Sequence, residues 1–207
     1  MISGRFVRKY MRLARFIGED DNPCYSRKIG AVLTTSNGSR ILGTGYNGPP
    51  PGTPHTDSME YLRDYFWPQL TFDEKDSLRL DVLSTDEYAM YSVMENGLYI
   101  RDRFVRKYTG CGVCPRRLVG AKSGQRSELC SCGHAERHAI TNAACDLTGT
   151  TMFCWCTIPC LQCSDAIIQA RISVVHCLEE ELYHEKSEWL LTAGNVTLIR
   201  HDPKEFD

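Results

Sequence analysis

His134-Ala135-Glu136 and, further along, Pro159-Cys160-Leu161-Gln162-Cys163 are the segments that most constrain how this 207-residue chain can fold. A Cys-x-x-Cys pair offers two thiolates to one ion, and a distant His completes the set only if the fold brings both segments side by side. Three protein ligands leave a tetrahedral zinc one position for water, whereas a purely structural zinc takes four. Glu136, two residues past His134, shares that neighbourhood without being needed as a ligand. Bound zinc lowers the pKa of water to roughly 7, and a carboxylate beside it can take and return a proton. Cys-x-x-Cys alone also describes a zinc knuckle or a redox pair. The upstream His, the spare carboxylate and the proline directly before Cys160 favour the catalytic reading.

Periodicity places these segments on elements. Ala135, Ala139, Ile140, Ala143 and Ala144 share one helical face, which puts His134 and Glu136 in a first turn, where the positive end of the helix dipole suits an anion. Thr151–Cys156 reads as a strand, and Thr157-Ile158-Pro159 then delivers Cys160 to the start of another helix, where thiolates are also favoured. A strand over Ser173–Cys177, a helix from about Glu185 to Ala193 and a strand over Val196–Ile199 continue an alternating series, which implies a sheet covered by helices. Nearer the N-terminus, Phe6, Tyr10, Leu13, Ala14 and Ile17 mark an amphipathic helix ending at Gly18, its basic outer face solvated. Asp21-Asn22-Pro23 is a turn, and Ile29–Thr34 and Ile41–Tyr46 form a hairpin across Asn37-Gly38.

Other stretches admit two readings. Gly45-Tyr46-Asn47-Gly48-Pro49-Pro50-Pro51-Gly52 is either a stiff turn or a loop whose backbone and Asn47 amide meet a nucleotide's sugar. Residues from about 55 to 130 read as an insertion in one domain, with helices over Asp57–Trp67 and Ser77–Met94 broken at Trp67-Pro68. The basic run Arg101–Lys107 is a solvated face. Cys111 and Cys114, with Cys130 and Cys132 beyond a loop, form a zinc-ribbon pattern. Cys24, His55, Cys111, Cys114, Cys130 and Cys132 are the candidate ligands of a second, structural zinc, or else several are buried free thiols. Trp155 either lines a pocket or belongs to the core.

A net charge of −2 gives no general attraction to a phosphate backbone, so a small-molecule substrate is expected rather than nucleic acid. Arg5, Arg8, Lys9, Arg12 and Arg15 interrupt any apolar leader, and no run of about 18 apolar residues exists to span a membrane. Eleven cysteines in that setting indicate a reduced, cytoplasmic protein whose thiolates hold metal.

His-x-Glu with Pro-Cys-x-x-Cys is the zinc-deaminase signature. Three further segments make the chain resemble the deoxycytidylate branch of the cytidine and deoxycytidylate deaminase superfamily. They are Lys28-Ile29-Gly30-Ala31-Val32-Leu33, then Gly45-Tyr46-Asn47-Gly48-x-Pro50, then Cys114-Pro115-Arg116-Arg117 with Gly120, Ser123-Gly124 and Cys130 ahead of His134-Ala135-Glu136-Arg137. Residues 60–105 are not covered by it. The resemblance implies a three-layer α/β/α fold around a mixed five-stranded sheet, and hydrolysis of dCMP to dUMP with release of ammonia. It implies His134, Cys160 and Cys163 as ligands of a catalytic zinc, Glu136 as proton shuttle and Asn47 as a nucleotide contact. It further implies dCTP and dTTP as effectors, with Mg2+ accompanying dCTP, a homo-oligomer, and a structural zinc whose best-fitting ligands are Cys24, His55, Cys114 and Cys130. His138 stands where the family usually has Asn. Arg27 and Lys28 are candidates to meet the substrate phosphate. The rival expectations are a deaminase of dCTP or a modified cytosine nucleotide, a nucleic-acid base deaminase, and a zinc-stabilised module that binds dCTP without turning it over.

Overall fold

Alternation along the strands explains the layering. In a computed structural model that describes residues 2–21, 24, 27–56, 58, 60–75, 114–122, 125–179 and 185–207, five strands form one sheet. They are β1 (Gly30–Thr34), β2 (Ile41–Tyr46), β3 (Thr151–Cys154), β4 (Val174–Leu178) and β5 (Thr197–His201), in the order β2-β1-β3-β4-β5. β1 runs antiparallel to both neighbours, while β3, β4 and β5 are parallel, so the sheet is mixed as expected. Successive strand residues point to opposite faces. Val32, Phe153 and Leu178 therefore meet α1 (Gly4–Phe16) through Tyr10, Met11 and Ala14. Ala31, Leu33, Met152, Cys154, Val175 and Cys177 face α2 (Ala135–Ala143), α3 (Leu161–Gln169) and α4 (Glu185–Ala193). Fully buried side chains such as Tyr10, Leu33 and Phe153 each stabilise the layers by about 1.5–3 kcal/mol.

Local chemistry sets the boundaries. α1 does not stop at Gly18 but continues through a π-helical turn, Ile17–Asp21. The hairpin uses a loop longer than the two-residue turn, with Thr35 donating to the Arg40 carbonyl and a β-bulge between Leu33 and Thr34, and Gly38 supplies the positive φ of 73° it requires. Gly45 lets α2 lie directly on β2: a Cβ there would sit 2.2 Å from the Ala135 carbonyl oxygen and 2.4 Å from the Ala139 nitrogen.

The chain divides into two compact units, residues 1–23, 27–48 and 133–207 forming the first and 24–26 with 49–132 the second. In the second, a π-helical segment Tyr61–Phe66 runs into a 3-10 turn Trp67–Gln69, so Pro68 continues the turn and the backbone becomes extended only at Leu70. The Tyr61 hydroxyl donates to the Leu129 carbonyl at 3.0 Å and accepts from the Ser131 amide at 2.9 Å, tying the chain ahead of Cys132 to this segment. The expected helix over 77–94, the basic run 101–107 and Cys111 lie outside the described residues. Among those described, no helix is long and apolar enough to cross a membrane.

Candidate active site

His134 and Cys160 occupy equivalent places. Each is the extended residue directly before a helix, α2 and α3 respectively, on the same side of the first unit. Cys163 follows in the first turn of α3. The Nδ1 of His134 lies 3.3 Å from the Cys160 Sγ and 3.4 Å from the Cys163 Sγ, and the three ligand atoms all fall within 4.8 Å of one another. For a tetrahedral zinc, with Zn–N of about 2.0–2.1 Å and Zn–S of about 2.3 Å, the N–S separation is roughly 3.5 Å. The donor set and its spacing therefore fit that ion. Burial grades across the trio from exposed His134 through half-buried Cys160 to buried Cys163, so the side opposite Cys163 is reached by solvent.

A thiol proton shared towards Cys160 orders the trio. The thiol of Cys163 donates to Cys160, with His134 assisting, and lowers the Cys160 pKa to about 3 against the opposing pull of burial. Donation to Cys160, followed by burial, holds the Cys163 proton in place. His134 is raised chiefly by its hydrogen bond to Cys160.

Glu136 sits at the second position of α2 and is 3% exposed. Burial pushes its carboxyl above the usual carboxylate range. Its Oε2 has no hydrogen-bond partner, while Oε1 accepts from the Cys156 thiol at 3.9 Å. A buried, incompletely satisfied carboxyl beside three metal-capable side chains is poised to exchange protons. Cys156 was not singled out as a functional residue from the sequence. Trp155, its neighbour, points to the opposite face, where it packs edge-on to Phe206 at 6.0 Å and under the Arg15 guanidinium at 5.2 Å, so it belongs to the core and not to the site.

Asn47 is 5% exposed, and its amide is engaged within the protein. Oδ1 accepts from the Ala135 amide at 2.8 Å, and Nδ2 donates to the Arg27 carbonyl at 3.5 Å. His134 makes no side-chain cap, so Asn47 satisfies the first amide of α2 from outside the helix. Paired bonds between Gly48 and Gly133, 2.7 and 3.2 Å long, clamp the same loop to the residue before His134. His138 also turns to this loop: its Nδ1 meets the Tyr46 carbonyl at 2.9 Å. The charge of Arg27 acts on the Cys156 thiol, placing this candidate phosphate ligand within electrostatic reach of the site.

In the second unit, the free thiol of Cys132 is hydrogen-bonded both to Cys130 and to Cys24, which raises its own pKa and lowers that of Cys130 to about 7. Three of the candidate ligands of a second zinc, Cys24, Cys130 and Cys132, are thus joined through Cys132. Among the described residues, His134, Cys160 and Cys163 are the one group of three metal-capable side chains with mutually close ligand atoms. A cavity of about 570 Å³ opens elsewhere, lined by Arg5, Arg8, His201, Glu205 and Phe206, and no metal-site residue borders it.

Residues 5–179 match the model of the family described as the cytidine and deoxycytidylate deaminase zinc-binding region. The chain is 26% identical over 199 residues to a deoxycytidylate deaminase of Schizosaccharomyces pombe and 25% identical over 192 residues to one of Saccharomyces cerevisiae. The alignments cover 95% and 91% of this chain but only 44% and 42% of those proteins, so it spans less than half the length of the curated relatives it matches. The structure resembles that of a dCMP deaminase from the cyanophage S-TIM5 in complex with dCMP and dUMP, with a TM-score of 0.56 at 16% identity over 97% of this chain and 100% of that one. At that identity the likeness concerns the fold.

Proposed function

The chain belongs to the family of cytidine and deoxycytidylate deaminases, and from that premise we propose that it hydrolyses a deoxycytidine nucleotide, dCMP to dUMP and ammonia, at the site formed by His134, Cys160, Cys163 and Glu136. One observation carries the reading: a buried Glu136 whose Oε2 has no partner beside a trio that fits a three-ligand zinc. A four-ligand structural centre has no use for such a carboxyl. Zinc bound there supplies an acidified water as nucleophile. Glu136 takes a proton from that water as the C4–O bond forms and hands it to N3, then takes the remaining hydroxyl proton and passes it to the exocyclic amine, which leaves as ammonia as the C4–N bond breaks and the C4 carbonyl forms. The raised proton affinity that burial gives Glu136 suits both halves of this cycle. Arg27 and Lys28 are proposed to meet the phosphate, and Asn47 the sugar, through the loop it anchors.

Several parts of the same reading go further. Residues from about 55 to 130 are an insertion in a single deaminase domain. A second, structural zinc sits in the 49–132 unit, supported by the contacts of Cys132 with Cys24 and Cys130, with His55 and Cys114 as the remaining candidates. The protein is cytoplasmic and oligomeric, acts on free nucleotides and not on nucleic acid or membranes, and responds to dCTP, carried with Mg2+, and to dTTP. The test compares ammonia release by the zinc-loaded protein from dCMP, dCTP, cytidine and single-stranded oligonucleotides, each with and without dCTP and dTTP. Preferential turnover of dCMP is expected, with Glu136→Gln lowering kcat by about 10²–10⁴-fold at unchanged zinc content. Turnover of the oligonucleotide alone, or wild-type turnover in the Gln variant, would overturn it.

A further inference from the structure

We infer that Cys156 is a positioning residue that holds the carboxyl of Glu136 through a thiol hydrogen bond. The inference rests on the deaminase reading for its consequence but on geometry for its substance. Cys156 lies two residues past β3, and the alternation that sends Phe153 and Trp155 towards α1 turns Cys154 and Cys156 towards α2. Its backbone is pinned from both sides. Trp155 donates to the Gly30 carbonyl at 2.9 Å, and the Cys156 carbonyl accepts from Leu178 at 2.8 Å. The sulfur is therefore carried on the frame of the sheet and not on a free loop, and it stands 3.9 Å from Glu136 Oε1.

The Cys156 thiol donates to Glu136 Oε1, and Oε2 has no partner among the described residues. The thiol's hydrogen bond with Cys154, then burial and the charge of Glu136, keep it protonated, with Cys154 and Glu136 Oε1 sharing the one proton. A thiol is a weak donor. It can fix the direction of Oε1 and leave Oε2 open while removing little of the basicity that a proton shuttle needs; an ammonium in the same place would bind more strongly and take more of it.

The test uses the full-length zinc-loaded protein as wild type, Cys156→Ser and Cys156→Ala. Two readouts are taken: steady-state ammonia release from dCMP, and the infrared carboxylate band of Glu136, isolated by difference against Glu136→Gln. Losing a weak hydrogen bond corresponds to a fall of roughly 2–10-fold. Cys156→Ala should lower kcat by about 3–10-fold with KM within about 2-fold, and should shift the band. Cys156→Ser restores a donor and should recover most of kcat, which a mere volume effect would not predict because Ala and Ser differ little in size. An unshifted band in the Ala variant, or equal kcat in all three proteins at equal zinc content, would overturn the assignment. If the wild type binds zinc yet releases no ammonia, the deaminase reading fails while the band still decides the role of Cys156.

Discussion

Replacing Asn47 separates what this side chain does for the protein from what it does for a ligand. Asn47→Ala strips the acceptor from the Ala135 amide, a 2.8 Å bond closed off from water because Ala135 is 0% exposed. An unsatisfied buried donor costs about 1–3 kcal/mol, and loss of a helix cap costs about 0.5–2 kcal/mol. Full burial places this case near 2 kcal/mol. For a chain of this size that corresponds to a fall in Tm of roughly 4–8 °C. Asn47→Asp keeps an oxygen for the Ala135 amide and adds a negative charge at the start of α2, favourable by about 0.3–1 kcal/mol. It forfeits the long 3.5 Å bond to Arg27 and sets a buried carboxylate oxygen against that carbonyl, which offsets the gain at the helix start, so its Tm should fall less than that of Asn47→Ala. Thermal unfolding of the zinc-loaded proteins by circular dichroism measures both. A wild-type Tm for Asn47→Ala would refute the capping role. The stable Asp variant then tests binding: an unchanged KM for dCMP would remove Asn47 from the nucleotide contacts.

Acid should destabilise the first unit through His176, which burial and His201 hold down at about 4. The unfolded imidazole titrates near 6.5, so this contribution is complete above that pH and lost as pH falls towards 4; it amounts to about 3 kcal/mol at most. Urea unfolding at several pH values should show His176→Phe, which keeps the stack on Phe153, losing less stability across that window than wild type, and parallel curves would refute it. Metal analysis should find two zinc ions per chain, falling to one on replacing Cys132 with Ser and to one on replacing Cys160 with Ser; a single ion in the wild type would remove the structural site. Gly45→Ala should cost about 1–3 kcal/mol and weaken zinc retention, since the new methyl drives α2 and its flanking His134 off β2, and retention equal to wild type would contradict that packing.

The metal trio and the sheet were legible because each rests on local patterns: alternating strands, helix starts, and ligands placed at those starts. β2 and α4 match their expected bounds, and β1, β3, β4 and β5 differ only at their ends. What sequence could not resolve depends on contacts between distant segments. Asn47 could be a turn residue or a ligand contact, and only the fold reveals that its amide reaches Ala135 across 88 positions. The grouping of the second-unit cysteines is not implied by spacing: Cys24 joins Cys132 from far upstream.

The end of β3 marks the boundary between these two kinds of information. Aromatic character drew attention to Trp155, yet strand parity alone assigns Trp155 to the face of Phe153 and Cys156 to the face of Cys154. The face of Cys154 is also the face of Ala135 and Ala139, hence of Glu136. Parity could therefore have nominated Cys156 as a neighbour of the proton shuttle before any coordinates. What parity cannot supply is the distance, because that depends on where α2 sits over the sheet, and α2 is set down by Gly45 beneath it and by Asn47 at its end. Gly45 and Asn47 thus determine whether a thiol two residues past a strand reaches a carboxyl in a helix, and altering either should change the Cys156–Glu136 contact without touching a member of the pair.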